Sequence, residues 1–78
     1  MKRGRIRLLS GLTINCAYEL VSEEEGRLDL FPAFLGELEA GQAATLIPGE
    51  GREWAIVVRA LDREHATFQI VERSLKRR

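Results

Sequence analysis

Residues 52–73 constrain the fold of this chain most strongly, because they read as two β-strands that fold back on each other. Residues 53–60 are rich in β-branched side chains, and residues 66–72 alternate apolar with polar ones. The charged stretch 62–65 has the length that commonly closes a hairpin. We therefore expect an antiparallel hairpin. Its predicted inner face consists of Trp54, Ile56, Val58 and Ala60 on the first strand and Ala66, Phe68 and Ile70 on the second.

Four further strands are predicted ahead of this hairpin. Residues 13–21 alternate over their whole length, with the inner positions taken by Ile14, Cys16, Tyr18 and Leu20, which favours a strand. A helix over residues 17–25 is the alternative, since Glu and Leu are good helix formers. Shorter strands are predicted at residues 5–9, 27–31 and 42–47, separated by turn signals at 10–11, 22–26 and 48–51.

Six short strands separated by turns predict an all-β fold. The architecture is either a small antiparallel β-sandwich of the immunoglobulin-like type or a five- to six-stranded barrel. Residues 32–40 add one short helix, with a proline at its start and Gly41 just after its end, or else form an irregular crossing. The 78 residues make a single domain, with frayed basic ends at 1–4 and 74–78.

The size and the cysteine content of the chain limit the function and the cellular compartment that we expect for it. A domain this small keeps only a modest margin of stability, so a substrate pocket would take much of its core, and we expect a protein that is not an enzyme. The one cysteine cannot form an internal disulfide, which favours the reducing cytoplasm. No apolar run approaches the roughly 20 residues that cross a membrane.

Cys16 and His65 are the only thiol and imidazole, so cysteine-histidine catalysis would require them to meet. Cys16 falls on an apolar face, where a buried thiol that acts as a small hydrophobe is the better interpretation. His65 falls in a polar loop. Because a structural zinc site would need other ligands besides this pair, we predict no metal site and no cofactor.

The charges of the chain are unevenly distributed. Eight of the twelve Lys and Arg residues lie within the first seven or the last six positions, and every acidic residue lies between positions 19 and 72. If the two ends of the chain meet, their cations form one basic patch that attracts phosphates. Trp54 is a stacking residue for a base or a sugar if its ring is exposed. The residues of the predicted basic patch are Arg5, Arg7, Arg73, Lys76, Arg77 and Arg78.

Two hypotheses about function follow from these features. The leading hypothesis is a protein-interaction module that pairs with itself or with a partner protein, using an exposed strand edge. The alternative is weak nucleic-acid binding through the basic patch, which the acidic middle of the chain and the low aromatic content weaken. A further reading is that the basic ends contact the acidic body of a neighbouring copy.

Overall fold

Six antiparallel strands close into a barrel in the computed structural model, which describes residues 1–30, 32–49, 51–62 and 65–73. The elements are β1 (Lys2–Leu8), β2 (Thr13–Leu20), β3 (Glu25–Asp29), α1 (Pro32–Leu35), β4 (Ala43–Gly49), β5 (Arg52–Leu61) and β6 (His65–Glu72). Around the barrel the order is β1, β2, β3, β6, β5, β4, and β4 pairs with β1 to close it. The predicted barrel is therefore confirmed, and the sandwich is wrong because closure leaves one continuous sheet.

The hairpin of β5 and β6 forms as predicted, with Val58 opposite Phe68 and Ile56 opposite Ile70. The inward positions of both strands are buried, with one exception. Ala60 is exposed, because the register of the pair shifts between Val58 and Ala60. This irregularity turns the end of β5 away from the interior, and the predicted inward position of Ala60 is wrong for that reason.

Other boundaries also differ from the predictions. Residues 13–20 form a strand and β3 starts at Glu25, so the helical alternative for residues 17–25 is wrong. β1 begins at Lys2 and pairs residues 2–4 with residues 16–18, so the start of the chain belongs to the sheet and is not frayed. β4 continues through Pro48 to Gly49, into the first half of the predicted turn at 48–51, because its register shifts after Leu46. The predicted frayed segment 74–78 lies outside the described residues.

The core lies along the barrel axis and holds no polar or charged side chain among the described residues. Gly26 lets β3 pass close to the ring of Phe68. A Cβ atom at this position would lie 2.6 Å from Phe68 Cζ and 2.7 Å from the carbonyl oxygen of Glu19, distances that no side chain tolerates. The largest fully buried side chains are Phe68, Ile6, Leu28, Leu46, Ile56 and Val58.

The two ends of the barrel differ in the side chains that cover them. We call the end where β3 finishes and β4 starts the capped end. There the connecting segment, which includes α1, places Leu30, Leu35 and Leu38 in the core. Two hydrogen bonds join the segment to β5. The Gly41 amide donates to the Val58 carbonyl at 2.6 Å, and the Val58 amide donates to the Gln42 carbonyl at 2.8 Å.

We call the opposite end, where β1 begins and β6 finishes, the charged end. An even number of antiparallel strands places the first residue of β1 and the last residue of β6 at the same end of a closed barrel. Lys2 and Arg73 therefore lie at the same end, where both line one depression. Within the described ranges, no helix is both long and apolar enough to cross a membrane.

Candidate binding site at the charged end

A cleft of about 560 Å³ opens at the charged end, and we call it the basic cleft. Three cations line it, Lys2 from the start of β1, Arg52 from the start of β5 and Arg73 from just beyond β6. The buried rings of Tyr18 and Trp54 form its inner wall. The remaining lining residues are Met1, Glu19 and Leu20.

A second depression of about 410 Å³, which we call the acidic groove, lies beside the basic cleft. Its charged side chains are Glu23 and Glu24 from the β2–β3 loop, Glu72 from the end of β6, and Arg73. Arg73 therefore lines both depressions. The charged end carries two adjacent surfaces of opposite sign, with three cations to one carboxylate in the cleft and three carboxylates to one cation in the groove.

Arg73 is held in place at the border between the two depressions. Its guanidinium carbon lies 4.8 Å from the centre of the Trp54 ring system, in a cation–π contact. Its Nη2 atom also donates a hydrogen bond to the backbone carbonyl of Glu23. Trp54 in turn meets the ring of Tyr18 edge to face, with ring centres 6.0 Å apart. The guanidinium is thus oriented by an aromatic face and a backbone acceptor.

The other two cations of the basic cleft, Lys2 and Arg52, have no ion pair with any residue that the structure describes. Glu19 does not neutralise them, because its carboxylate accepts a hydrogen bond from Arg27, 2.9 Å long, on the outer face of the barrel. This hydrogen bond, and then the positive charge of Arg27, lower the pKa of Glu19. The cleft therefore keeps an excess of positive charge.

The structure separates the residues of the predicted basic patch. Arg73 lies in the basic cleft, whereas Arg5 and Arg7 lie on the outer face of β1. The Nη2 atom of Arg7 lies 3.0 Å from Glu53 Oε1, so part of its charge is already compensated. The other three predicted residues lie outside the described part of the chain, namely Lys76, Arg77 and Arg78.

Lys2 and Arg52 are the cleft residues that the predicted patch omitted. Lys2 lies in the basic start of the chain. Because an even number of antiparallel strands brings the first and the last strand ends to the same end of a barrel, its place near Arg73 could be inferred from the sequence. Arg52 carries no comparable signal, because it stands alone in the acidic middle of the sequence. Only the closure of the barrel brings it beside Lys2.

Trp54 does not present the exposed ring that stacking with a base requires, since it is 6% exposed and Arg73 covers it. A base could reach this ring face only if Arg73 moved aside. In the present structure Trp54 supports Arg73.

Cys16 and His65 occupy different environments. Cys16 is buried, as predicted, and burial raises the pKa of its thiol to about 11. The thiol is therefore protonated near neutral pH and is a weak nucleophile. The Nε2 atom of His65 lies 3.2 Å from Asp62 Oδ2, and the His65 amide donates to Asp62 Oδ1 at 2.9 Å. These contacts between Asp62 and His65 account for the pairing of the two residues, and His65, expected in the loop, is the first residue of β6.

A groove of about 600 Å³ on the side of the barrel runs along β1, β2 and the end of β3. Its two charged side chains, Arg3 and Asp29, have opposite signs, so the groove has no excess charge with which to select a ligand. Among residues 1–30, 32–49, 51–62 and 65–73, no group of His, Cys, Asp and Glu side chains could hold a metal ion. Searches of family models, curated proteins and solved structures found no match to this chain.

Proposed function

We propose that this protein is a non-enzymatic interaction module that associates with a second copy of itself through its charged end. The proposal rests on one observation, the adjacency of the basic cleft and the acidic groove, which share Arg73. Two surfaces of opposite charge that lie side by side on one face make that face complementary to itself.

A two-fold axis through the charged end brings the basic cleft of one copy against the acidic groove of the other, and the reverse contact forms at the same time. This arrangement places Lys2 and Arg52 opposite the carboxylates of Glu24 and Glu72. Both cations lack an ion pair within the described chain, so association supplies the partners that folding does not. Charge complementarity of this kind sets the orientation and the specificity of an interface.

The charged end also offers apolar area, which most stable interfaces need at their centre. Four large apolar side chains at this end are exposed, at or beside the ends of strands whose inner positions are buried. They are Met1 (62% exposed), Leu20 (37%), Val21 (71%) and Val71 (64%). The charged side chains around them would form a polar rim, as in other protein interfaces.

Pairing through a strand edge, the mode expected from the sequence, has less support. Each of the six described strands has a hydrogen-bonded neighbour on both sides. Among the described residues only short stretches lack a partner on one side, such as residues 13–16 of β2, which pair with β1 but not with β3, so a partner strand has little edge to extend. The proposed interface is therefore formed by side chains at one end of the barrel.

The test combines sedimentation equilibrium with a charge swap. Wild-type protein is expected to dimerise more weakly at about 500 mM than at about 50 mM salt, because salt screens exposed charges. The double variant K2E/R52E makes the cleft acidic, and E24K/E72K makes the groove basic. Each alone brings like charges together at both contacts, so each is expected to be monomeric. An equimolar mixture restores opposite charges at both contacts and is expected to form a heterodimer.

Matched controls change the net charge by the same amount away from the charged end. R5E/R59E is the control for the first variant and E37K/E39K for the second, since these side chains are exposed and lie elsewhere on the barrel. Both controls are expected to dimerise like wild type. A wild-type monomer at high concentration would overturn the proposal. A dimer unaffected by salt and by both charge swaps would do so too, and would point to other exposed apolar side chains, such as Leu9 or Phe34.

Nucleic-acid binding remains a prediction with weaker support. The three cations of the basic cleft favour it, but the acidic groove beside them repels the further phosphates of a polynucleotide that extends beyond the cleft. The ring of Trp54 is also covered by Arg73. Titration with a single-stranded oligonucleotide tests this alternative.

A further inference from the structure

We infer that the basic cleft is also a binding site for a phosphate monoester, carried by a small molecule of about nucleotide size. This inference goes beyond self-association, because it assigns a ligand to one of the two depressions. It is drawn from the volume of the cleft, the orientation of Arg73 and the excess of positive charge around it.

The cleft has the dimensions of a ligand site. Its volume of about 560 Å³ falls within the range of roughly 300 to 1,000 Å³ in which small-molecule sites are found. The cations lie at its rim and the Tyr18 and Trp54 rings at its inner wall. Buried rings keep water from part of the site and so strengthen the attraction between a cation and an anion.

Arg73 is pre-oriented to bind an anion. The Trp54 face and the Glu23 carbonyl hold its guanidinium, so little side-chain entropy is lost when a ligand arrives. A guanidinium has several N–H donors. Among the described residues, Nη2 is the one nitrogen of the Arg73 guanidinium that donates a hydrogen bond. The remaining donors can bind two oxygens of one phosphate in the fork geometry that arginine favours.

The surrounding charges favour a phosphate monoester over a singly charged anion. Lys2 and Arg52 add two positive charges that carry no ion pair among the described residues. A phosphate monoester near neutral pH has close to two negative charges and several acceptor oxygens, so it matches this set of donors. The exposed side chains of Met1 and Leu20 then flank the organic part of the ligand.

The proposed ligand and the proposed second copy use the same cations. A phosphate in the cleft neutralises the charges that would otherwise face the acidic groove of the partner. Ligand binding is therefore expected to compete with dimerisation, and the apparent dissociation constant of the dimer should rise as the ligand saturates.

The test is an NMR titration of the full chain, observing backbone amides, the Arg73 Nε–H and the Trp54 indole. The probes are inorganic phosphate, adenosine 5′-monophosphate, adenosine, and a single-stranded oligonucleotide with and without a 5′-phosphate. Phosphate and the monophosphate are expected to shift signals of the cleft, and adenosine is not. The phosphorylated oligonucleotide is expected to bind at least about tenfold more tightly than the unphosphorylated one at low salt, where phosphate contacts are strongest.

The variants separate this inference from the self-association proposal. E24K/E72K disrupts the proposed dimer but keeps the cleft, so it should bind the monophosphate at least as tightly as wild type. K2E/R52E should lose at least about tenfold in affinity, because two attractive charges become repulsive. The milder R52Q variant should lose less, and R5E/R59E should bind like wild type.

Three results would overturn the inference. One is an equal response to adenosine and its monophosphate, which would mean that the phosphate is not recognised. Another is an equal loss in K2E/R52E and R5E/R59E, which would reveal a general charge effect. The third is equal binding of the two oligonucleotides at the cleft, which would replace the monoester by internal phosphodiesters and favour the nucleic-acid hypothesis.

Discussion

The capped end of the barrel is filled by apolar side chains, and the charged end is not. At the capped end, Leu35 and Leu38 are 9% and 4% exposed and belong to the core. At the charged end, Lys2 and Arg52 lie at the surface and have no ion pair among the described residues. The same six strands reach both ends. Apolar side chains from the β3–β4 connection fill one end. Charged side chains and two depressions occupy the other.

This difference indicates how the two ends contribute to the protein. Burial of apolar side chains supplies most of the free energy of folding, so the capped end contributes to stability. Exposed charges contribute little to stability, so a cluster of them at one end adds little to the free energy of unfolding. We propose that the cluster at the charged end serves binding, and substitutions at the two ends should then have different effects.

The largest expected effect is at the capped end. Leu38→Ala leaves a cavity in the core and should lower the free energy of unfolding by about 2 to 5 kcal/mol. Arg52→Gln at the charged end should change it by no more than about 0.5 kcal/mol, as for most surface positions. Urea denaturation of both variants measures the contrast, with the exposed Glu37→Gln as the control near Leu38. Equal losses at Leu38 and Arg52 would contradict the division of roles.

An intermediate effect is expected from Cys16, which lies in the core between the two ends. The unfolded thiol ionises at a pH near 9, whereas burial raises its pKa in the folded protein to about 11. Between these values the unfolded state has lost the proton that the folded state keeps, so the free energy of unfolding should fall as pH rises. Denaturation of wild type and Cys16→Val from pH 8 to about 11 isolates this contribution.

The Cys16→Val variant lacks the thiol and should lose less stability over the same pH range. Parallel curves for the two proteins would show that the thiol is not the cause. As a second measurement, a thiol reagent should modify Cys16 only at the rate of unfolding, because the residue is 8% exposed.

The smallest expected effect on stability is that of Arg73. Arg73→Gln removes the guanidinium from the face of Trp54 and should cost about 0.5 to 1 kcal/mol, the size of a cation–π contact near the surface. The loss should also uncover Trp54, so iodide should quench its fluorescence more strongly than in wild type. Arg59→Gln, at an exposed position on β5, is the matched control. Unchanged quenching in Arg73→Gln would show that Arg73 does not shield the ring.

The strands and most of their buried faces were predictable because alternation is a local property. Ile14, Cys16 and Tyr18 are buried as their spacing of two requires, and so are the inward residues of β6. Leu20 was predicted to face inward with them, and this is wrong, since it is 37% exposed as the last residue of β2. The prediction also fails where the pairing register shifts. Ala60 and the end of β4 both follow such irregularities, which depend on how strands fit around a closed barrel.

The candidate site was predictable only in part. Concentration of cations near the chain ends indicated a basic surface, and Arg73 belongs to it. Arg7 did not follow the prediction, because Glu53, 46 positions away in the chain, compensates it across the outer face. The place of Arg52 in the site was not predictable, because no local sequence pattern relates it to Lys2 or Arg73. The acidic stretch 23–25 looked like an ordinary loop until the fold placed two of its residues beside the cleft.

The sequence by itself determined the all-β class, the six strands and most of the residues that face inward, because these follow from the period-two alternation of each segment and the turns between segments. Only the tertiary structure decided that the sheet closes into a barrel, through the pairing of β1 with β4 and of β3 with β6. Those pairings join segments distant in the chain, and their free energy depends on packing across the whole core. The same closure gathers Lys2, Arg52 and Arg73 at one end and so creates the basic cleft.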